Sequence, residues 1–598
     1  MRYAFLDVTL QDGQLSCRSA HLHPPLRHYA ISGARTLYLH GNPIASQLRN
    51  DPAVVRLLEQ SATLEQFARG LDGSFVVFVH DPVARTVSFV SDRFGSLPFF
   101  YRMEQHVFYA STSFQQLYHQ SAQRHHWPNQ LDPVSLVEFL CFRRLFGDHT
   151  YESHSHFLEG ATIVTVDYGT ATLQRRRYWQ PHFIADQPTR RPPSQQQLAG
   201  ELADAIRQSV TMYRSDHPRT ALLLSGGLDA RAILAACGHD RPICFTTAPR
   251  QNNEYAVAHQ LTTLAGATHH FIPRPVQFLD ALVDPAVFAG GGMTIYTEAQ
   301  FGGYEATIAP QNDVVLVGLA LDILLCGHYL PKKLMHLLGH DGYHFHMQPL
   351  AEDLAYQFIH TVSYRLKTSD PWSVIRPEQQ PRLRDQIYGR ITAELDKGRA
   401  MGADGYQLWE FMHTHNFARH YSLMMAASIR GYADCRIPAF SNRIYQLMHE
   451  MPVDYKANWR VYQKAIALLD PRFMVVKNAN TNIRADLPLQ FQSLLRWLYG
   501  AGNRWLGTVG GRFPRPPTTE DRSWPSFRQS IDVNPSIQKM VRALPHSEAL
   551  AALNLFDMDR IADTVDDYFS NRHDHSVLLN LLVTLDRFVK SPCRAEEP

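Results

Sequence analysis

Between residues 36 and 110, apolar and polar positions alternate in short runs broken by turn residues. Residues 36–39 lead to Gly41-Asn42, 74–79 to Asp81-Pro82, and 86–90 to Asp92-Arg93-Phe94-Gly95-Ser96-Leu97-Pro98, before two further runs at 99–101 and 107–110. Side chains alternate across a strand, so a period of two with turn signals roughly every 8–12 positions predicts an antiparallel, sandwich-like sheet. Proline and polar residues at 185–197 predict an exposed linker. Beyond it the period changes. Residues 198–213 and 254–266 carry helical spacing, and buried-strand runs appear at 222–224, 243–246 and 314–317. Strand and helix in alternation predict a parallel sheet covered on both faces. Residues 406–469 and 536–590 are helical by periodicity, and the Gly-, Arg- and Pro-rich stretch 500–524 predicts a loop within 500–530.

The second part carries the clearest chemistry. Residues 222–230 read Leu-Leu-Leu-Ser-Gly-Gly-Leu-Asp-Ala, and the apolar-periodic segment 231–237 follows. A buried strand thus ends in the turn Ser225-Gly226-Gly227 and restarts as a helix whose N-terminus points at the turn. Inward backbone N–H groups and the positive helix end suit a pyrophosphate group. Asp229 puts a carboxylate beside those phosphates, a place where a bridging Mg²⁺ makes it tolerable. No Gly-Lys-Ser/Thr follows, so the loop is not of the Walker type.

Composition narrows the classes. At 598 residues, two domains of a few hundred residues each are expected. A hydrophobic fraction of 45% with 19% charged residues is that of an ordinary globular protein, and 58 basic against 56 acidic residues imply no nucleic-acid partner. The seven cysteines are odd in number and never paired as Cys-x-x-Cys, so neither a disulfide framework nor a zinc site is signalled, and a reduced cytoplasm is the expected setting. No stretch reaches the roughly 18 apolar residues of a membrane span. The histidine clusters His269-His270 and His413-Thr414-His415 lack a partner at ligand spacing and read as ordinary side chains.

The Ser225–Asp229 loop resembles the Ser-Gly-Gly-x-Asp-Ser loop of the asparagine synthetase and PP-loop ATPase superfamily, with Ala230 in place of the final serine. Upstream, Gly73-x-Phe75, Asp81, Asp92-Arg93-Phe94-Gly95-x-x-Pro98-x-x-Tyr101 and Phe108-Tyr109-Ala110-Ser111, then Gly160 and Tyr178-Trp179, are similar to the glutamine-amidotransferase domain of those synthetases. The resemblance implies an N-terminal αββα Ntn-hydrolase-like sandwich at 1–184, the linker, and a parallel α/β PP-loop domain with a helical C-terminal part at 198–598. Glutamine hydrolysis in that family uses a cysteine directly after the initiator Met. Position 2 here is Arg2, so an inactive glutaminase site is expected.

The resemblance also implies a nucleotide site. After Val317, Gly318-Leu319-Ala320-Leu321-Asp322-Ile323 stands where the family has Gly-Glu-Gly-Ser-Asp-Glu, matching at Gly318 and Asp322. Leu319 replaces a glutamate of asparagine synthetases and a tyrosine of β-lactam synthetases. Asp229 and Asp322 are then the Mg²⁺ ligands, and Leu224, Ser225, Gly226, Gly227, Leu228, Thr247, Val317 and Gly318 hold ATP and pyrophosphate. Residues 431–442 look like the family's Glu-x-Arg-x-Pro-Phe-Leu-Asp segment, with Asp434 and Arg436 on the Glu and Arg positions, as substrate contact or scaffold ion pair. Lys477 stands near the lysine that stabilises charge on the adenylating phosphate, and Arg460-x-Tyr462-x-Lys464 resembles a Lys-x-x-Leu-Arg helix. The implied activity is AMP-forming amide synthesis through an acyl-adenylate. The expected substrate is a peptide or small carboxylate, foremost a lasso-type peptide closed to a macrolactam, with precursor-peptide-processing proteins as partners. Asparagine or β-lactam-type synthesis using free ammonia or a substrate amine, and a degenerate scaffold protein, stand as alternatives.

Overall fold

The computed structural model describes residues 3–45, 50–183, 193–214, 219–327, 330–337, 340–361, 370–417, 425–488, 491–492, 494–495, 498 and 523–590. Arg2, most of the predicted linker and residues 500–522 of the predicted loop lie outside them.

Among the described residues, eleven strands form two antiparallel sheets in the N-terminal part. They are β1 (Phe5–Gln11), β2 (Gln14–Ala20), β3 (Arg27–Ile31), β4 (Arg35–Ala45), β5 (Leu71–Asp81), β6 (Thr86–Ser91), β7 (Phe100–Glu104), β8 (Val107–Ser111), β9 (His156–Phe157), β10 (Thr162–Asp167) and β11 (Thr172–Arg177). One sheet runs β2-β1-β8-β7-β9, the other β11-β10-β6-β5-β4-β3. Leu6 and Val8 of the first interleave with Val76, Phe78 and Phe89 of the second in a core of their own. The helices Asp51–Gln60 and Leu64–Arg69 cover the outer face of the second sheet through Val54, Leu58 and Phe67. Helices Phe114–His125 and Pro133–Phe142 join the core on the other side, completing four αββα layers. The Asp92–Pro98 turn is held from within: buried Asp92 accepts the N–H groups of Phe75, Phe94 and Ser96 and the Ser96 hydroxyl.

The second part has five parallel strands in the order β14-β13-β12-β15-β18, namely β12 (Thr220–Leu223), β13 (Ile243–Ala248), β14 (His269–Pro273), β15 (Val314–Val317) and β18 (Asp434–Arg436). A separate hairpin pairs β16 (Lys332–Leu337) with β17 (His340–Met347). The first helix spans Gln195–Arg214, starting three positions inside the predicted linker because the Ser194 hydroxyl accepts the Gln197 N–H and caps it at 3.2 Å. His269 and His270 lie in β14, where the His269 ring meets the Thr246 hydroxyl at 2.9 Å.

The two parts share one apolar core. Phe94 stacks on Phe440 with ring centroids 4.1 Å apart, and Phe114 on Phe588 at 5.7 Å. Polar bonds cross as well: the Asn442 N–H donates to Asp72 at 3.0 Å, the Tyr151 hydroxyl to the Gly292 carbonyl at 2.7 Å, and the Asn42 amide to Asp434. Among the described residues no helix is long and apolar enough to cross a membrane, and Cys17, Cys141, Cys237, Cys244, Cys326 and Cys435 are free thiols.

Candidate active site at the carboxyl edge of the parallel sheet

The central strand β12 is buried along its length, and its chain emerges at the sheet edge where open α/β folds place ligands. Leu224 is pinned there, its N–H on the Phe245 carbonyl at 2.9 Å and its carbonyl accepting the Thr246 hydroxyl at 2.7 Å. Ser225 accepts the Gly227 N–H at 3.2 Å and so shapes the turn. Gly227 is the N-cap of the helix Leu228–Ala236, and no side chain caps that end. The first-turn N–H groups of such a helix suit an anion. Two glycines allow close approach here. A Cβ on Gly226 would collide with the Ala479 methyl, and one on Gly318 would stand 2.6 Å from the Ala230 nitrogen and 2.7 Å from the Asp229 carbonyl carbon. The end of β15 therefore lies directly against the start of the loop helix.

Asp229, in the first turn of that helix, accepts the Tyr462 hydroxyl at 2.9 Å. Tyr462 is wholly buried, and burial, followed by the charges of Asp229 and Asp322, raises its pKa well above the ordinary value. The buried Cys326 thiol is raised by burial and by the same two carboxylates. Asp229, from the loop helix, and Asp322, from the helix Leu321–Leu325, thus both act on Tyr462 and Cys326. Ala320, which introduces that second helix, has φ 71, the left-handed region that favours glycine. It occupies the second glycine of the run to which Gly318 and Asp322 were matched.

A strap closes the flank. Arg231 is fully buried, and its guanidinium donates to the carbonyls of Phe473, Val476 and Lys477, each at 2.9 Å, and of Gly226 at 3.3 Å. Burial lowers its pKa to about 10, leaving it charged at neutral pH. The Ala479 N–H donates to Gly226 at 3.1 Å, and Lys477 Nζ to Asn253 Oδ1 at 2.7 Å. Lys477 accordingly flanks the loop through Asn253, whose amide holds the Ala479 carbonyl at 3.1 Å.

These elements line a cleft of about 180 Å³. Leu224, Ser225, Asp229 and Ala230 form its floor, and Thr247, Val317 and Gly318 line the strand ends. The Thr247 hydroxyl is turned to the Tyr304 hydroxyl at 3.0 Å. Leu228 packs against the core instead of lining the cleft. Phe301, Leu319, Met425 and Trp524 make an apolar wall. Glu254 also lines the cleft; it accepts from the Gly226 N–H and from Ser523, and burial raises its pKa.

Asp434 stands elsewhere. It opens β18 level with Val314, at the amino end of the strands, whereas the cleft lies beyond Val317. There it pairs with buried Arg436 at 2.7 Å and accepts from Asn42 of the N-terminal part. Arg231, Glu254, Phe301 and Trp524 were missed from sequence, and Tyr462 was placed within a family-like helix without a role. Of these only Arg231 carried a local signal, an arginine opening an otherwise apolar helix.

Comparison with known proteins agrees with this layout. A glutamine amidotransferase domain model matches residues 49–179 and an asparagine synthase model residues 201–465. No curated protein matches. Among solved structures, the allosteric regulatory enzyme of purine biosynthesis is 6% identical (TM-score 0.20), and glutamine phosphoribosylpyrophosphate amidotransferase from B. subtilis, complexed with ADP and GMP, is 8% identical (TM-score 0.18). Each match covers 45% of this chain, which spans 59% of the relative's length. With an amidotransferase-type sandwich followed by an asparagine synthase domain, the chain belongs to the asparagine synthetase superfamily.

Proposed function

We propose that this protein adenylates a carboxylate with ATP, releases pyrophosphate, and joins the activated acyl group to an amine, with a lasso-type peptide closed to a macrolactam as the foremost substrate. The observation that carries the reading is Asp229 in the first turn of a helix that no side chain caps, beside the Ser225–Gly227 loop, with Asp322 in the first turn of the helix that follows β15. Carboxylate activation needs this combination: donors for the departing pyrophosphate and hard oxygen ligands for a divalent cation.

The donor set fits Mg²⁺. Asp229 and Asp322 would hold it, and it would supply charge neutralisation on the phosphates. Tyr462 fixes the rotamer of Asp229 through its hydroxyl. Ser225 lines the cleft where the pyrophosphate would sit, with the Gly226-Gly227 turn behind it; Thr247, Val317 and Gly318 face the nucleotide, and Lys477 at the flank balances charge in phosphoryl transfer. Leu319 supplies no base, so the amine loses its proton to another group of the protein, to the substrate itself or to water. The apolar wall of Phe301, Leu319, Met425 and Trp524 supports a peptide or another substrate with an apolar flank.

ATP–pyrophosphate exchange with Mg²⁺ tests the proposal, using candidate peptides, aspartate and β-amino acids as carboxylates, beside Asp229→Ala. Exchange dependent on one substrate class and abolished in the variant is the expected result. No exchange with any candidate, together with no ATP binding, would overturn it.

A further inference from the structure

Far from the cleft, the turn between the last two helices, Met558–Phe569 and Ser576–Lys590, gathers Asp567, His573 and His575. Each offers one ligand atom, and the three lie within 4.8 Å of one another. Asp567 Oδ2 faces both rings, 3.7 Å from His573 Nδ1 and 4.0 Å from His575 Nε2. Those separations are too long for hydrogen bonds. They fall within the span open to two ligands of one ion, because bonds of about 2.0–2.1 Å place such ligands at most ~4.2 Å apart.

The turn prepares this geometry. The Asp567 carbonyl accepts the Arg572 N–H at 2.9 Å, folding the chain back over the carboxylate. The Arg572 guanidinium takes the other carboxylate oxygen, Oδ1, at 2.9 Å and leaves Oδ2 directed at the imidazoles. A neighbour that orients a ligating carboxylate is the usual outer shell of a metal site. His575 and Asp567 are 31% and 29% exposed and His573 72%, so an ion reaches the cluster from solvent and water can complete its coordination.

We propose that Asp567, His573 and His575 form a binding site for one borderline divalent transition-metal ion of the zinc class. Two imidazoles and one carboxylate select such ions over Mg²⁺ and Ca²⁺, which prefer all-oxygen ligands. The ion would staple the two helices together. The second of them reaches the N-terminal part, since Phe588 stacks on Phe114 and lies 5.2 Å, centroid to centroid, from Tyr151. The site is independent of the amide-forming reaction.

The full chain, stripped with a chelator and returned to Mg²⁺ buffer, is titrated with ZnCl₂ by calorimetry and with CoCl₂ by visible absorption. One site per chain is expected, with Co²⁺ bands of low coordination and a raised melting temperature in Zn²⁺. His573→Ala and His575→Ala should each raise the dissociation constant at least ~10-fold, no less than the loss of an outer-shell partner does. His573→Gln is the milder variant, and circular dichroism checks the fold of each. Asp229→Ala and a His269→Ala/His270→Ala double variant should bind as the parent does. Absence of tight Zn²⁺ binding in the parent, or unchanged binding in His573→Ala/His575→Ala, would overturn the assignment.

Discussion

Tyr462 donates its buried hydroxyl to Oδ1 of Asp229 across 233 residues of sequence, tying the helix Arg460–Leu469 to the loop helix. Removing the oxygen in Tyr462→Phe leaves the ring in place and deprives a half-buried carboxylate of one donor. A stability loss of about 1 kcal/mol is expected, near the net value of one such bond. Because the hydroxyl orients a proposed metal ligand, exchange activity should fall on the order of tenfold with a higher Mg²⁺ requirement. Thermal melts and Mg²⁺ titrations of ATP–pyrophosphate exchange measure both. An unchanged Mg²⁺ dependence with lower stability would reduce Tyr462 to packing.

Gly318→Ala tests the approach of the end of β15 to the start of the loop helix. The added methyl would press on the Ala230 nitrogen and the Asp229 carbonyl carbon, both backbone atoms that cannot swing aside. Overpacking of this kind costs roughly 1–3 kcal/mol. The strain would fall on the first turn of the loop helix, so ATP affinity should drop more than the melting temperature does. Equilibrium nucleotide binding beside differential scanning fluorimetry separates the two, and native affinity in the variant would rule out this close approach.

What the sequence made legible follows from how locally each feature is encoded. The loop from Leu224 to Asp229 is contiguous, and its strand, turn and helix each announce themselves by composition, so their order was predicted. The same holds for β15, where four consecutive apolar residues end at Gly318. β18 was not readable, because its three residues Asp-Cys-Arg show no strand pattern and form a strand only by pairing with β15. His269 and His270 read as a cluster, while their strand is fixed by β13. Tyr462 and Trp524 reach the site from distant segments, and no period relates them to it. The cluster at Asp567, His573 and His575 escaped for the same reason: a helix end and a turn bring together what spacing alone does not.

Asp434 gives a sharp contrast between position in a motif and position in space. Its carboxylate neutralises Arg436, a guanidinium 1% exposed that also donates to the Tyr213 carbonyl at 2.6 Å, and it receives Asn42 from the other part of the chain. Asp434→Asn leaves that buried cation without its counter-charge, a loss worth about 3–5 kcal/mol. A marked fall in melting temperature is expected, with ATP binding retained at permissive temperature. Native melting combined with abolished exchange would instead assign Asp434 a direct role in catalysis.

Glu138 supplies the pH dependence. It lies fully buried between the two parts, and burial raises its pKa to about 8, more than the nearby Arg390 charge lowers it. Arg390 Nη1 is 3.6 Å from its carboxylate, while the same guanidinium pairs with Asp132. Between its ordinary value of 4.5 and about 8, folded Glu138 keeps a proton that the unfolded chain has released. The native state then binds more protons than the unfolded one, so this group's contribution is fully present below pH 4.5 and is lost as pH rises towards 8. Glu138→Gln keeps the shape of the neutral acid and removes the titration. The variant should melt with the parent at the acid end of that window and above it at the alkaline end. A constant difference in melting temperature across the range would show that Glu138 stays ionised in the fold.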